Sequence, residues 1–228
     1  MTDDGKRAAG EAAAALVEDG MRLGLGTGST VAHFLSALAA RDLDVAGVPT
    51  SEATADRCRE LGIGLLEVNA VEELDLCVDG ADELDDTLTL TKGGGGALLR
   101  EKVVATLARR FVVIATEDKL VPRLAERFPL PIEVVPFAVA PVIRTLERRG
   151  FAPVVRDGGA YRTDNGNVVV DARYPGGLED PAVTDVALTL IPGVVTSGLF
   201  VDLADAALLG RADGSVRRLD RPAEPVAS

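Results

Sequence analysis

Short apolar runs alternate with helical stretches along the first half of the chain, and this alternation restricts the fold more than any other feature. MRLGLG, DVAGVP, IGLLEV, LDLCVDG and FVVIAT read as strands, and a helix near Lys6 to Glu18 precedes them. Further helices are expected from Thr30, from Ser51 to Leu61, and after the glycines at 93–96. Strands separated by helices pair in parallel, and such a sheet is covered on both faces. An α/β domain follows, with its ligands expected beyond the carboxyl ends of the strands, where the loops collect.

The pattern changes at FPLPIEVVPF, where prolines punctuate the chain. APVIRTLERRG reads as a helix, FAPVVR as a strand, YRTDNGNVVVDAR as a hairpin around Asn165-Gly166, Asp180 to Leu190 as a helix and GVVTSGLF as a strand. These make a small antiparallel α+β unit. The tail from Asp202 is too short to fold alone and is expected to return to the first domain. The resulting division is 1–126 with 202–228 as an α/β catalytic domain, and 127–201 as the smaller α+β domain.

Four segments at predicted strand ends could carry chemistry. The run Gly24 to Thr30, GLGTGST, leaves a strand and opens a helix, the setting in which N–H groups and hydroxyls receive a phosphate. A plain glycine turn with Ser29 or Thr30 as helix N-cap is the structural alternative. A Walker A loop is excluded by the missing Gly-Lys-Ser/Thr ending, and a dinucleotide fingerprint fits imperfectly because Ser29 stands in place of its third glycine. Asp79-Gly80-Ala81-Asp82-Glu83 comes directly off LDLCV, so Asp79 and Asp82 could orient a sugar and exchange protons with its ring oxygen. A Mg²⁺ site or an ordinary acidic turn would present the same letters.

Lys92 to Lys102, KGGGGALLREK, places a cation, four glycines and a helix-borne carboxylate within one short stretch. Consecutive glycines are poor helix and strand formers, so Gly93 to Gly96 suit close backbone approach and anion binding better than packing. The helix ALLREKVVATLARR would carry Lys102, Thr106, Arg109 and Arg110 on one side. Glu101 projects elsewhere, between Ala97, Ala105 and Ala108, where partial burial would raise its pKa toward the useful range for a base. A solvated glutamate paired with Arg100 or Lys102 is the plain alternative. Lys119, after FVVIATED, is a further cation on the same rim or simply a loop lysine.

Other residues exclude more than they suggest. His33, the single histidine, has no nearby partners for a triad or a zinc site, and Cys58 and Cys77 lack metal-ligand spacing and read as buried thiols. A formal net charge of -12 argues against nucleic acid or an anionic membrane as the main partner. No apolar run reaches the roughly 18–20 residues that span a bilayer, and the N-terminus lacks the order of a secretory signal, so a cytoplasmic protein is expected. The acidic, lysine-poor composition fits either a salt-rich cytoplasm or a high-GC coding bias.

Taken in order, GTGST at 26–30, DGADE at 79–83, KGGGGALLREK at 92–102, and the downstream FPLPIEVVP, TDNGN and IPGVVTSGLF segments resemble type A ribose-5-phosphate isomerase over nearly the whole length. That resemblance implies a Rossmann-like parallel-sheet domain with a ferredoxin-like α+β domain inserted near the C-terminus. It also implies a homodimer that interconverts ribose 5-phosphate and ribulose 5-phosphate with no metal or other cofactor. Position by position, Glu101 corresponds to the family's proton acceptor. Thr27, Gly28, Ser29 and Thr30, then Asp79, Gly80, Ala81 and Asp82, then Lys92, Gly93, Gly94 and Gly95, and finally Lys119, correspond to its substrate-binding segments. Lys6 aligns with a lysine that helps neutralise phosphate. Gly96 departs from a frequent pattern of three glycines and an alanine.

The expected reaction runs through a cis-enediolate, with Asp79 or Asp82 assisting ring opening, Glu101 moving the proton, and Lys92 or the glycine N–H groups stabilising the oxyanion. A related sugar-phosphate deaminase and a non-catalytic sugar-phosphate sensor are the alternatives. A sensor of the transcription-regulator kind should add a helix-turn-helix and a basic face, for which the N-terminus has no space.

Overall fold

The computed structural model describes residues 3–222. Helix α1 (Asp3–Ala14) leads into β1 (Arg22–Leu25), α2 (Ser29–Ala39), β2 (Ala46–Pro49), α3 (Glu52–Leu61) and the short β3 (Gly64–Leu65). Next come β4 (Leu76–Gly80), β5 (Glu83–Leu84), β6 (Leu90–Thr91), α4 (Leu98–Thr106) and β7 (Phe111–Thr116). The chain continues through β8 (Leu130–Val134), α5 (Val139–Arg148), β9 (Ala152–Val155), β10 (Val168–Arg173), α6 (Pro181–Thr189) and β11 (Val194–Ser197). Strands β12 (Leu199–Phe200), β13 (Ala206–Gly210) and β14 (Val216–Asp220) complete it.

The main sheet has the order β14-β13-β7-β4-β1-β2-β3, parallel throughout except for the antiparallel edge strand β14. Strand periodicity divides its side chains between two cores. Leu23, Leu25, Leu76, Val78, Val112 and Ile114 pack with Phe34 and Leu38 of α2 and the alanines of α1. Cys77, Phe111, Val113, Ala207 and Leu209 point the other way, onto Val104 and Ala105 of α4 and Phe200 of β12.

A second sheet, β11-β8-β10-β9, is antiparallel and carries its own core with α5 and α6, in which Ile132, Val134, Val142, Leu146 and Leu188 are buried. A third, β12-β6-β5, is built from two-residue strands.

Several elements depart from the sequence reading. GVVTSGLF is not one strand: β11 ends at Ser197, and beyond Gly198 the chain pairs with β6 instead. Asn165-Gly166 does sit in a turn, closed by Gly166 N–H to the Thr163 carbonyl at 2.8 Å. That turn does not join two paired strands, because the partners of β10 are β8 and β9. Helix α4 stops at Thr106, and Arg109 lies beyond its end, donating its N–H to the Leu74 carbonyl at 2.8 Å. IGLLEV yields only the two-residue β3.

Candidate active site

The order of strand connections reverses between β1 and β4, since β2 and β3 lie on one side of that parallel pair and β7 and β13 on the other. Loops diverge at such a point and leave a crevice at the carboxyl ends of the strands. There the structure places a cavity of about 260 Å³, lined by Lys6, Thr27 to Thr30, Gly80 to Asp82, Lys92 to Gly95, Glu101, Ala115, Thr116 and Lys119. That volume suits a small metabolite.

One part of the lining has the features of an anion cradle. Helix α2 begins after Gly28 with no side chain capping it, so its first N–H groups keep their affinity for an anion. Helix α3 differs, with the Ser51 hydroxyl accepting from Thr54 N–H. Lys6 reaches the cradle from α1 and donates to Ser29 Oγ at 2.9 Å. The loop is stiffened from behind: Thr27 Oγ1 lies 2.8 Å from Thr50 Oγ1 and 2.8 Å from Ser51 Oγ.

Another part of the lining adjoins a buried charge cluster. Lys92 Nζ lies 3.0 Å from Asp79 Oδ2 and 3.4 Å from Glu101 Oε2, and donates to the Gly80 carbonyl at 2.6 Å. The contact to Glu101 is an ion contact without hydrogen-bond geometry, leaving Oε2 free of a partner. The Phe200 ring centroid lies 5.5 Å from Lys92 Nζ. Burial raises the Glu101 carboxyl to about 8; Lys92 opposes the shift, and Asp79 and Asp82 reinforce it. Burial alone would depress the Lys92 ammonium, but Asp79 and Glu101 outweigh it and hold the pKa above its ordinary value. Lys92 is therefore cationic, beside a carboxylic acid able to gain and lose a proton near neutrality.

Asp82 is raised by burial, against the pull of the Gly94 N–H, which donates to its Oδ2 at 2.7 Å. Asp79 is buried beside Lys92. Its Oδ1 accepts the N–H groups of Thr27 and Gly80, at 3.0 and 2.7 Å, its Oδ2 faces Lys92, and it does not line the cavity. It supports Lys92 and the GTGST loop from below. In the glycine run, Gly93 and Gly96 adopt φ of +103° and +81°, conformations that side-chain-bearing residues rarely take.

Ala115 and Thr116, at the end of β7, were not read from the sequence as wall residues, although a strand end on this rim is the signal that could have found them. His33 instead pairs with Asp3, Nε2 to Oδ1 at 3.1 Å, away from the cavity. Cys58 and Cys77 are buried free thiols, and burial pushes Cys58 up to about 11. Among the described residues no cluster of His, Cys, Asp and Glu side chains is arranged to hold a metal ion, and no helix is long and apolar enough to cross a membrane.

An α/β enzyme with an anion cradle and a buried carboxylate–ammonium centre on one rim is the class that this fold and site define. Comparison with known proteins gives the particular family. The family model described as ribose 5-phosphate isomerase A (phosphoriboisomerase A) matches residues 46–214. Ribose-5-phosphate isomerase A of Caulobacter sp. (strain K31) is 53% identical over 223 residues, covering 94% of this chain and 97% of the relative. The protein of the same name from Thermomicrobium roseum is 45% identical, covering 96% and 95%. Among solved structures, ribose 5-phosphate isomerase A from Methanocaldococcus jannaschii superposes with a TM-score of 0.91 at 39% identity, covering 96% of this chain and all of that one. A D-ribose-5-phosphate isomerase in complex with phospho-erythronic acid gives 0.93 at 37% identity, covering 97% and 100%. The chain belongs to the ribose-5-phosphate isomerase A family and is an aldose–ketose isomerase. This selects isomerisation over the deaminase and sensor alternatives.

Proposed function

We propose that the cavity takes D-ribose 5-phosphate with its phosphate on the α2 N-terminus, Ser29, Thr30 and Lys6, with Lys119 on the same rim, and its C1 and C2 carbons beside Glu101. The observation that carries this reading is the pairing of the buried Glu101 carboxylate with the buried Lys92 ammonium in the same cavity as the α2 N-terminus and Lys6. Asp82, held by Gly94, exchanges protons with the ring oxygen as the sugar opens. Glu101 then takes the C2 proton, the electron pair forms the C1–C2 double bond, and the C1 oxygen carries the charge beside Lys92 and the glycine turn. Return of the proton to C1, with the C2 hydroxyl proton passing to O1, gives ribulose 5-phosphate. One base serves both carbons when both present the same face to it. Lys92, kept cationic by Asp79, supplies the electrophile.

The protein acts in the cytoplasm as a homodimer in this reading, within the pentose phosphate pathway. Residues 127–201 are its smaller inserted unit, supported by the separate antiparallel sheet and core of β8 to β11. The test is to incubate the purified protein with ribose 5-phosphate and no added cofactor, and to follow ketose formation. Ketose in proportion to enzyme supports the assignment, and its absence overturns it.

A further inference from the structure

The connection from β9 to β10, residues 156–167, reaches out of the smaller sheet and grips the glycine turn. Arg156 is fixed to Asp171 of β10 by two bonds, Nη2 to Oδ1 at 2.6 Å and Nε to Oδ2 at 2.9 Å. Its Nη1 donates to the carbonyls of Gly93 and Gly94, at 3.1 and 3.2 Å. Tyr161 Oη donates to the next carbonyl, that of Gly95, at 3.0 Å, and its ring lies 5.5 Å from the Arg156 guanidinium. Three successive carbonyls are thus held by one segment.

The peptide plane turns this grip into an effect on the cavity. A trans peptide points its carbonyl and its N–H in opposite directions, so holding the Gly94 carbonyl on Arg156 aims the Gly95 N–H away from Arg156. The Gly94 N–H is bound to Asp82 and the Gly96 N–H to the Gly93 carbonyl, at 2.7 and 2.9 Å. The Gly95 N–H has no protein acceptor among the described residues, and Gly95 lines the cavity. Gly96 completes the arrangement, because a Cβ at that position would collide with the Tyr161 hydroxyl.

We propose that Arg156 and Tyr161 are positioning residues for the isomerisation: they hold the glycine turn so that the Gly95 N–H is presented to the enediolate oxygen, and Gly96 provides the seat for Tyr161. This rests on the isomerase reading above. Arg156→Lys keeps the charge but not the planar fork that spans Asp171 and two carbonyls. Misplacing a donor by a fraction of an ångström to about 1 Å lowers rate rather than phosphate affinity, so kcat should fall roughly tenfold to a hundredfold for Arg156→Lys and about three- to tenfold for Tyr161→Phe, with KM within about twofold. Gly96→Ala displaces the same hydroxyl, so the Gly96→Ala/Tyr161→Phe double variant should lose no more than the worse single variant.

The experiment measures kcat and KM for the unaltered protein and these four variants, with inhibition by phospho-erythronic acid, whose carboxylate offers the oxyanion's charge. Support consists of kcat losses with little change in KM, inhibitor affinity weakening in step with kcat, and non-additivity in the double variant. Tyr161→Phe, which removes one oxygen, keeps the test valid where a bulkier change unfolds the chain. Near-wild-type kcat in both Arg156→Lys and Tyr161→Phe, or additive losses, overturns this inference alone. No turnover by the unaltered protein overturns both it and the isomerase reading.

Discussion

Glu101 shows how far a residue's surroundings decide its chemistry. Three carboxyl groups, Asp79, Asp82 and Glu101, share the single buried ammonium of Lys92, and burial weakens the solvation of all of them. Burial is the largest cause that raises the Glu101 carboxyl, Asp79 and Asp82 add to it, and Lys92 opposes it. As the base Glu101 must be deprotonated, so kcat/KM should rise with pH along an acidic limb lying well above 4.5 and toward 8. A limb at ordinary carboxylate values would contradict the assignment. Glu101→Gln should lower turnover by on the order of 10²–10⁴ while sugar phosphate still binds, as a titration of the variant would reveal. The same shift governs stability. Between about 4.5 and 8 the folded protein keeps a proton at Glu101 that the unfolded chain has released, so stability falls as pH rises through that window. Glu101→Gln removes this penalty, worth on the order of 1–3 kcal/mol after allowance for the Lys92 contact, or roughly 2–4 °C of Tm per kcal/mol. Thermal unfolding at pH 5 and pH 8 tests the sign: the variant should match the unaltered protein at the lower pH and melt higher at the upper one.

At the scale of elements, two helices open at the cavity without side-chain caps, α2 at Gly28 and α4 at Ala97. An uncapped N-terminus carries partial positive charge that a bound anion satisfies and that a carboxylate can satisfy instead. Ser29→Asp should therefore stabilise the protein modestly, by about 0.3–1 kcal/mol, while raising KM for the sugar phosphate at least tenfold by charge repulsion. A KM unchanged in the variant, whatever its Tm, would place the phosphate site elsewhere. These helix starts were legible in the sequence, because a glycine run between a period-2 stretch and a period-3.6 stretch is a local signal. Strands β1, β4 and β7 were legible for the same reason, and with them the rim that gathers Thr27, Asp82 and Lys119. The two-residue strands β5, β6 and β12 were not, since two residues have no period. Arg156 and Tyr161 were missed because their partners Gly93 to Gly95 lie some sixty residues away in sequence. Asn165-Gly166 misled for a related reason: Thr163, Asn165 and Asn167 fold around the buried Glu133 carboxylate, all donating to its Oε1, and so the turn serves a distant charge instead of a strand pair.

For the whole molecule, the formal net charge of -12 repels a second copy at long range, so association needs an apolar contact to offset it. Helix α6 offers one. Val183, Val186 and Leu190 follow one another at spacings of three and four along α6 and its C-cap, and are 65%, 59% and 76% exposed in the single chain. Valine and leucine at that spacing form one stripe of a helix, and an apolar stripe left facing water on a charged protein is the ordinary signature of an interface. A homodimer that covers this stripe should be salt-sensitive in a particular sense: screening of the like charges at higher ionic strength tightens it, the reverse of an interface built on ion pairs. Val186→Asp adds a further negative charge in the middle of the stripe without touching the buried Leu188 side chain that anchors α6 to the second sheet. Sedimentation of the variant should give monomer where the unaltered chain gives dimer, with the far-ultraviolet circular dichroism unchanged. A dimer of equal affinity in the variant would move the interface off α6, and a unaltered chain that sediments as monomer at every salt concentration would remove the homodimer from the proposal altogether.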